Sequence, residues 1–457
     1  MKTLYVHIGT PKTATTSIQM FCVDNEAVLN RKGYSYPILN FKFPKVEKRR
    51  NGHFLVGGLK KKDGSWDLER DEKMYQKGMD MVHEAFEKTE NVILSDENLW
   101  NASGTKKFVF WNKLLEDSKE YGYQIKVVVY LRRQDEFANS WLAQQIKEGW
   151  GEFRATKWEK FWRSPKFLIL DYASHIEKIA KVVGRENIIV RIFERDKFKG
   201  NDHSIYSDFL DAVGLEYTDE FRIVNQETNA SITGNSQEIR RIMNTILPRE
   251  GKERSAVRHY AEDVEALKSK GNNYIMLSEA DSNQFMKAYD EGNKDIAKTY
   301  LNSTEPLFRK GVKPGNVWKR ENPFMIEDVI RFFGLIYMDQ AKEIRELQDK
   351  IKRMEESKEE AIRMSENVGY EQLLEKFTDL QKQMDALKQE QKIVRKESVQ
   401  TENMVNGVMN EARSLFQSMN DFLNHPLGHS VKKKIKTSLY QKRRKRVLYF
   451  LTIKKLI

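Results

Sequence analysis

The sequence predicts a three-layer α/β fold, a parallel sheet with helices on both faces, followed by a C-terminal helical, coiled-coil extension. Three observations carry this. Short apolar and β-branched runs at 4–8, 92–95, 125–131 and 188–193 read as buried strands. Helical patterns lie between them, at 15–31, 72–88, 107–121 and 135–147, and strands alternating with helices imply a parallel sheet. From about residue 325 the composition turns to long helix rich in Glu, Lys and Gln.

The first strand is broken by Gly9 and Pro11, and a helix opens at the Thr/Ser cluster that follows. Strand, tight loop and helix N-terminus form a phosphate cradle, where backbone N–H groups and the positive end of the helix dipole face one anion. Thr15, Thr16 and Ser17 add hydroxyl donors and Lys12 adds a mobile charge, which makes the predicted sheet P-loop-like. The nucleotide-binding loop, however, places its lysine beside the magnesium-holding hydroxyl as Gly-Lys-Ser/Thr. In Gly9-Thr-Pro-Lys-Thr-Ala-Thr-Thr-Ser17 the lysine comes early and no Gly-Lys pair exists.

Glu97 stands just beyond the end of the next strand, 92–95. The strand at 125–131 runs into Arg132-Arg-Gln-Asp-Glu-Phe-Ala-Asn-Ser140-Trp, an arginine at a strand end with a serine eight residues on. In a parallel sheet, ligands bind beyond the carboxyl ends of strands. Gly9–Ser17, Glu97 and Arg132 all fall there. Both donor-type motifs, in this order, resemble those of the sulfotransferases that use PAPS (3′-phosphoadenosine 5′-phosphosulfate). That family's loop usually reads Pro-Lys-Thr-Gly-Thr-Thr-Ser, and this chain departs from it at Ala14, which is tolerated unless the position needs a positive φ.

Residues 4–19, Leu94-Ser-Asp-Glu97, Tyr130 to Trp141, Arg191-Ile-Phe-Glu194 and Asn229-Ala-Ser-Ile-Thr233 resemble the bacterial branch that acts in glycan and cell-surface biosynthesis, over roughly the first 245 residues. The resemblance implies sulfuryl transfer from PAPS to a hydroxyl or amine of a carbohydrate or glycolipid, in line and without a metal. It places the 5′-phosphosulfate on Pro11, Lys12, Thr13, Ala14, Thr15, Thr16 and Ser17, and the 3′-phosphate on Arg132 and Ser140. Guanidinium suits the latter role because it offers a forked, charge-assisted contact. Lys12 would stabilise the leaving bridging oxygen.

An acceptor hydroxyl needs a general base. Glu97 is the first candidate, Asp96 a lesser one, and His53 of the polar stretch 40–71 the second. His7, inside the first strand, reads as structural. Lys42, Lys45, Lys48, Arg49, Arg50 and Lys60, Lys61 and Lys62 flank His53 as a solvated basic face or as an attractant for an anionic acceptor. No Cys/His spacing fits a zinc site.

The single cysteine, Cys22, excludes an intramolecular disulfide and points to a reducing compartment. The absence of a leader or spanning segment makes a cytoplasmic, bacterial protein the expectation. Of the net charge of +12, residues 431–457 supply +11, from eleven Lys/Arg and no Asp/Glu, which argues against a nucleic-acid-binding face. Three regions follow: 1–322, the catalytic domain; 323–425, a helical coiled-coil region; and 426–457, a basic amphipathic tail. Ile344, Leu347, Ile351 and Met354, then Leu373, Phe377, Leu380, Met384, Leu387 and Val394, carry the apolar stripe, which implies a homo-oligomer. The tail implies peripheral contact with the inner face of the membrane. Two rival readings are a P-loop kinase or NTPase with Asp96 on magnesium, and a non-catalytic, membrane-associated scaffold.

Overall fold

Every strand of the main sheet runs parallel to its neighbours, in the order β2-β3-β1-β4-β5 for β1 (Thr3–His7), β2 (Tyr34–Ser35), β3 (Asn91–Ser95), β4 (Gln124–Leu131) and β5 (Ile188–Ile192). The computed structural model describes residues 1–44, 46–161, 169–224, 231–248, 252–309, 311, 315–364, 375, 378–396, 398, 399, 403 and 407. It divides into two compact units, Met1–Asn322 and Pro323–Ile457.

β1 lies at the centre and is buried on both faces. Leu4 and Val6 on one face and His7 on the other are fully buried. Adjacent strands repeat this, with Val92 and Leu94 against Ile93, and Val127 and Val129 against Val128 and Tyr130. Alternate residues face opposite sides of a sheet, so burial of both sets requires helices on both faces. One face takes α1 (Thr15–Asp24), α2 (Glu26–Arg31) and, after β5, Ile205–Ala212, packed through Ile18, Phe21, Leu29, Phe209 and Leu210. The helices α3 (His53–Val56), α4 (Leu68–Lys88), α5 (Asn98–Ser103), α6 (Phe110–Tyr121) and α7 (Gln134–Glu148) fill the crossovers between strands.

The sequence reads one helix over 15–31, but the structure makes two. Asn25 breaks it: its side-chain amide donates to the carbonyls of Phe21 and Arg222 and accepts the Arg222 N–H. The polar stretch 40–71 also departs from a solvated loop. Asn51 is fully buried, donating to the Ile93 carbonyl at 2.9 Å and accepting the Ser95 N–H at 2.7 Å. It thereby continues the edge pairing that β2 begins at Asn91 and Val92. β2 itself, two residues long, carries too little pattern to be read from sequence.

In the second unit, Met325–Met364 forms a long helix, and residues 378–396 are helical as well. Lys388 pairs with Glu355 at 3.0 Å and Lys358 donates to Gln381 at 2.6 Å, so the two segments run antiparallel within one chain. Leu347, Ile351, Met384 and Val394 of the apolar stripe are buried. Leu373 and Phe377, and the basic tail from residue 426, lie outside the described residues, as does Lys45.

His7 is structural, as the sequence suggests. Its Nδ1 is 2.9 Å from Ser95 Oγ, and its ring meets Tyr130 and Phe209 edge-on. Burial pushes its pKa down to about 3, against a smaller opposing pull from Asp96. Burial likewise lowers His175 to about 4, despite its contact with the Trp100 carbonyl. Unfolded histidine takes up a proton near pH 6.5, so the folded state is most favoured above that value and loses stability as pH falls towards 4. Each imidazole then costs about 1.4 kcal/mol per pH unit, roughly 4 kcal/mol for the pair at pH 5. Urea midpoints at pH 7 and pH 5 should show this loss, and His175→Gln should reduce it; equal midpoints for the parent at both pH values contradict the assignment.

Candidate active site

The carboxyl ends of β1, β3 and β4 open into a cleft of about 460 Å³ lined by Pro11, Lys12, Ala14, Thr15, Thr16, Ser17, Glu97 and Ser140, among others. Its floor is the loop after β1. That loop is pinned to β4: the Thr10 N–H donates to the Tyr130 carbonyl at 2.8 Å, and the Tyr130 N–H donates to the Gly9 carbonyl at 2.6 Å. Gly9 has φ +92°, and a Cβ there would lie 3.1 Å from the Pro11 nitrogen and 3.4 Å from Glu97. Only glycine lets the loop close onto the end of β3.

Lys12 and Ala14 both adopt left-handed backbone conformations, with φ of +69° and +59°. The condition under which alanine fits poorly at position 14 is therefore met. Ala14 stands at the N-cap of α1 and offers no side-chain acceptor, which leaves the first N–H groups of that helix directed at the cleft. Thr13 turns away from this surface: it is fully buried and its hydroxyl donates to the Thr10 carbonyl at 2.5 Å. Among the described residues Lys12 has no carboxylate at ion-pair distance. Burial, then the charges of Arg132 and Lys147, hold its pKa below the usual lysine value.

Across the loop stands Glu97. Its Oε1 lies 3.3 Å from Arg50 and its Oε2 accepts from Gln19 of α1 at 3.3 Å. Burial and neighbouring Asp96 raise its pKa, with Arg50 opposing. Asp96 is fully buried and held below the ordinary carboxylate value; burial opposes this, but contacts from His53 and Arg50 win. His53 departs from the expectation of a cleft residue. It is buried behind Asp96, with Nδ1 3.0 Å from Asp96 Oδ2 and its ring edge-on to Phe43. It does not line the cleft.

Ser140 faces the cleft from α7, whereas Arg132 sits behind the loop. The Arg132 guanidinium donates to the Lys12 carbonyl at 3.0 Å, stacks 5.7 Å from the Phe193 ring and approaches Glu136 at 3.6 Å. Among the described residues its Nε has no hydrogen-bond partner, and burial lowers its pKa. Several lining residues escaped the sequence reading. Gln144 and Lys147 follow Ser140 at helical spacing on one face of α7, a signal that was available. Trp141 and Trp150, edge-on at 5.8 Å, form an aromatic wall with no such signal, because Trp150 lies past the helix end. Ser231 and Ile232 line the cleft, while Asn229 and Ala230 of the same stretch lie outside the described residues. Lys147 pairs with Glu262 and Arg258 with Glu148, each at 2.7 Å, so that rim is charge-balanced.

Comparison of the chain with protein-family models, with curated proteins and with solved structures finds no match.

The left-handed alanine is open to direct measurement. Ala14→Gly relieves about 1–2 kcal/mol of strain against an entropic cost of about 0.4–1 kcal/mol in the unfolded chain. The variant should raise the urea midpoint by an amount equivalent to up to about 1.6 kcal/mol. A lower midpoint contradicts the strain.

Proposed function

We propose that the chain is a PAPS-dependent sulfotransferase acting on a hydroxyl or amine of a carbohydrate or cell-surface acceptor. One observation carries this reading: Lys12, a half-buried cation with no ion-pair partner among the described residues, sits in a loop that ends on an uncapped helix N-terminus. Such a pairing of fixed dipole and uncompensated charge favours a multiply charged anion. The strand order supports a P-loop-like sheet: the chain passes from β1 to one side, through β2 and β3, then crosses to β4, leaving the crevice at the reversal.

PAPS supplies the activated sulfuryl group. The N–H groups of residues 12–17 and the hydroxyls of Thr15, Thr16 and Ser17 hold its 5′ end, and Lys12 neutralises charge on the departing oxygen. Ser140 serves the 3′-phosphate from the cleft wall, and Arg132 joins it by turning from the Lys12 carbonyl it holds behind the loop. Glu97 takes the acceptor proton, and its raised pKa makes it a stronger base than an ordinary carboxylate. Trp141 and Trp150 present flat apolar surface to a ring of the donor or the acceptor. A nucleoside-triphosphate enzyme would place Asp96 on magnesium, but both Asp96 oxygens are engaged by Arg50, with His53 and the Asn98 N–H as further partners. The same proposal takes the chain as cytoplasmic, self-associating through its helical region and touching the membrane through the basic tail.

Calorimetric titration with 3′,5′-ADP, beside ATP with magnesium, tests the donor site. We expect metal-independent binding of 3′,5′-ADP, weakened about 10- to 150-fold in Lys12→Ala and in Arg132→Ala, the loss of one charge-assisted contact each. Binding of ATP–magnesium alone overturns the reading.

A further inference from the structure

Arg50-Asn51-Gly52-His53 belongs to neither donor motif, yet it is built against the end of β3. Asn51 holds the Ile93 carbonyl and the Ser95 N–H, and the Gly52 N–H donates to the Ser95 carbonyl at 3.3 Å. Gly52 packs so closely that a Cβ would lie 3.3 Å from both Leu99 and the Ser95 carbonyl carbon. This clip delivers the Arg50 side chain to two consecutive carboxylates. Its Nη2 lies 2.8 Å from Asp96 Oδ1 and 3.3 Å from Glu97 Oε1, and its Nε donates to Asp96 Oδ2 at 3.1 Å. Asp96 has little freedom of its own, since His53 Nδ1 and the Asn98 N–H occupy its remaining sites at 3.0 and 2.7 Å.

We propose that Arg50, anchored by Asp96 and His53, is a positioning residue that fixes the Glu97 carboxylate beside the donor loop and sets the pH at which it ionises. Its catalytic meaning rests on the reading of Glu97 as the base; the clamp itself stands on these contacts. A carboxylate left free at a cleft mouth rotates, and a base must lie within hydrogen-bond reach of the proton it takes. Here one Glu97 oxygen is held by Arg50 and the other by Gln19.

The charged and titratable groups facing Glu97 are Asp96 on its own segment, Arg50 on the clip, Lys12 on the donor loop and Tyr36 after β2. Burial and Asp96 disfavour the ionised carboxylate, and Arg50 favours it. The two single substitutions therefore have opposite signs. Removing Arg50 leaves Asp96 unopposed and raises the ionisation pH. Neutralising Asp96 removes the like charge and leaves Arg50 to Glu97, which lowers it.

The test is side-chain carboxyl NMR of the full chain labelled with ¹³C in glutamate, the Glu97 resonance being the one missing in Glu97→Gln. In Arg50→Gln the Glu97 midpoint should rise by roughly one pH unit or more, the effect of one close opposite charge. In Asp96→Asn it should fall, and Arg50→Lys should lie between Arg50→Gln and the parent. A Glu97 midpoint at the parent value in Arg50→Gln or in Asp96→Asn overturns the clamp, and either variant decides alone if the other does not fold. Titration of the parent with 3′,5′-ADP separates the two ideas. Loss of that binding removes the donor site and leaves the clamp to be judged by NMR.

Discussion

Two backbone hydrogen bonds between Gly9–Thr10 and Tyr130 fix the course of the loop that floors the cleft. They extend the β1–β4 ladder past the last paired residue, so the chain leaves the sheet at a defined point and turns in a defined direction. Tyr130 is anchored in turn by its hydroxyl, which donates to buried Asp208 at 2.6 Å. Arg132, two residues on, then holds the Lys12 carbonyl. Loop, strand and following helix thus form one body, and Lys12 inherits its position from the core rather than from its own flexible side chain. Preorganisation of this kind lets a charge act at a reacting centre without reorganising.

The site sets two electrostatic problems against each other. On one side a half-buried lysine lacks a counter-ion among the described residues; on the other, adjacent carboxylates share one arginine. Each is unfavourable alone, since desolvated charge is costly unless compensated. Fold stability does not call for this arrangement. A polyanion brought to Lys12 and a proton taken by Glu97 would relieve both strains together, so the local frustration lies where chemistry is proposed.

Much of the sheet was legible because a strand buried on both faces reads as a continuous apolar run. The observed β1, β3, β4 and β5 differ from the readings at 4–8, 92–95, 125–131 and 188–193 by one residue at some ends. The strand–loop–helix after β1 was legible because its pattern is local: one lysine and a run of hydroxyls at a strand–helix junction. What stayed hidden depends on tertiary pairing. Nothing in Asn40 to Asp71 announces that Asn51 serves as a strand partner, so His53 looked like a free loop histidine and Arg50 like one lysine-rich neighbour among many. The break at Asn25 was hidden for the same reason, because its partner is Arg222. Positive φ at Ala14 could be stated only as a condition, since sequence carries residue type and not dihedral angle.

The clip at Arg50–His53 has a consequence for how such a protein can change. The residues that hold the sheet, the loop after β1 and Glu97 come from separate stretches, and Arg50, one part of the Glu97 environment, is supplied by the segment between β2 and β3. Exchanging that segment would alter the acidity of Glu97 even if no residue of the loop after β1 changed. A chimera that swaps this stretch would therefore transplant an electrostatic set-point for Glu97 along with a surface.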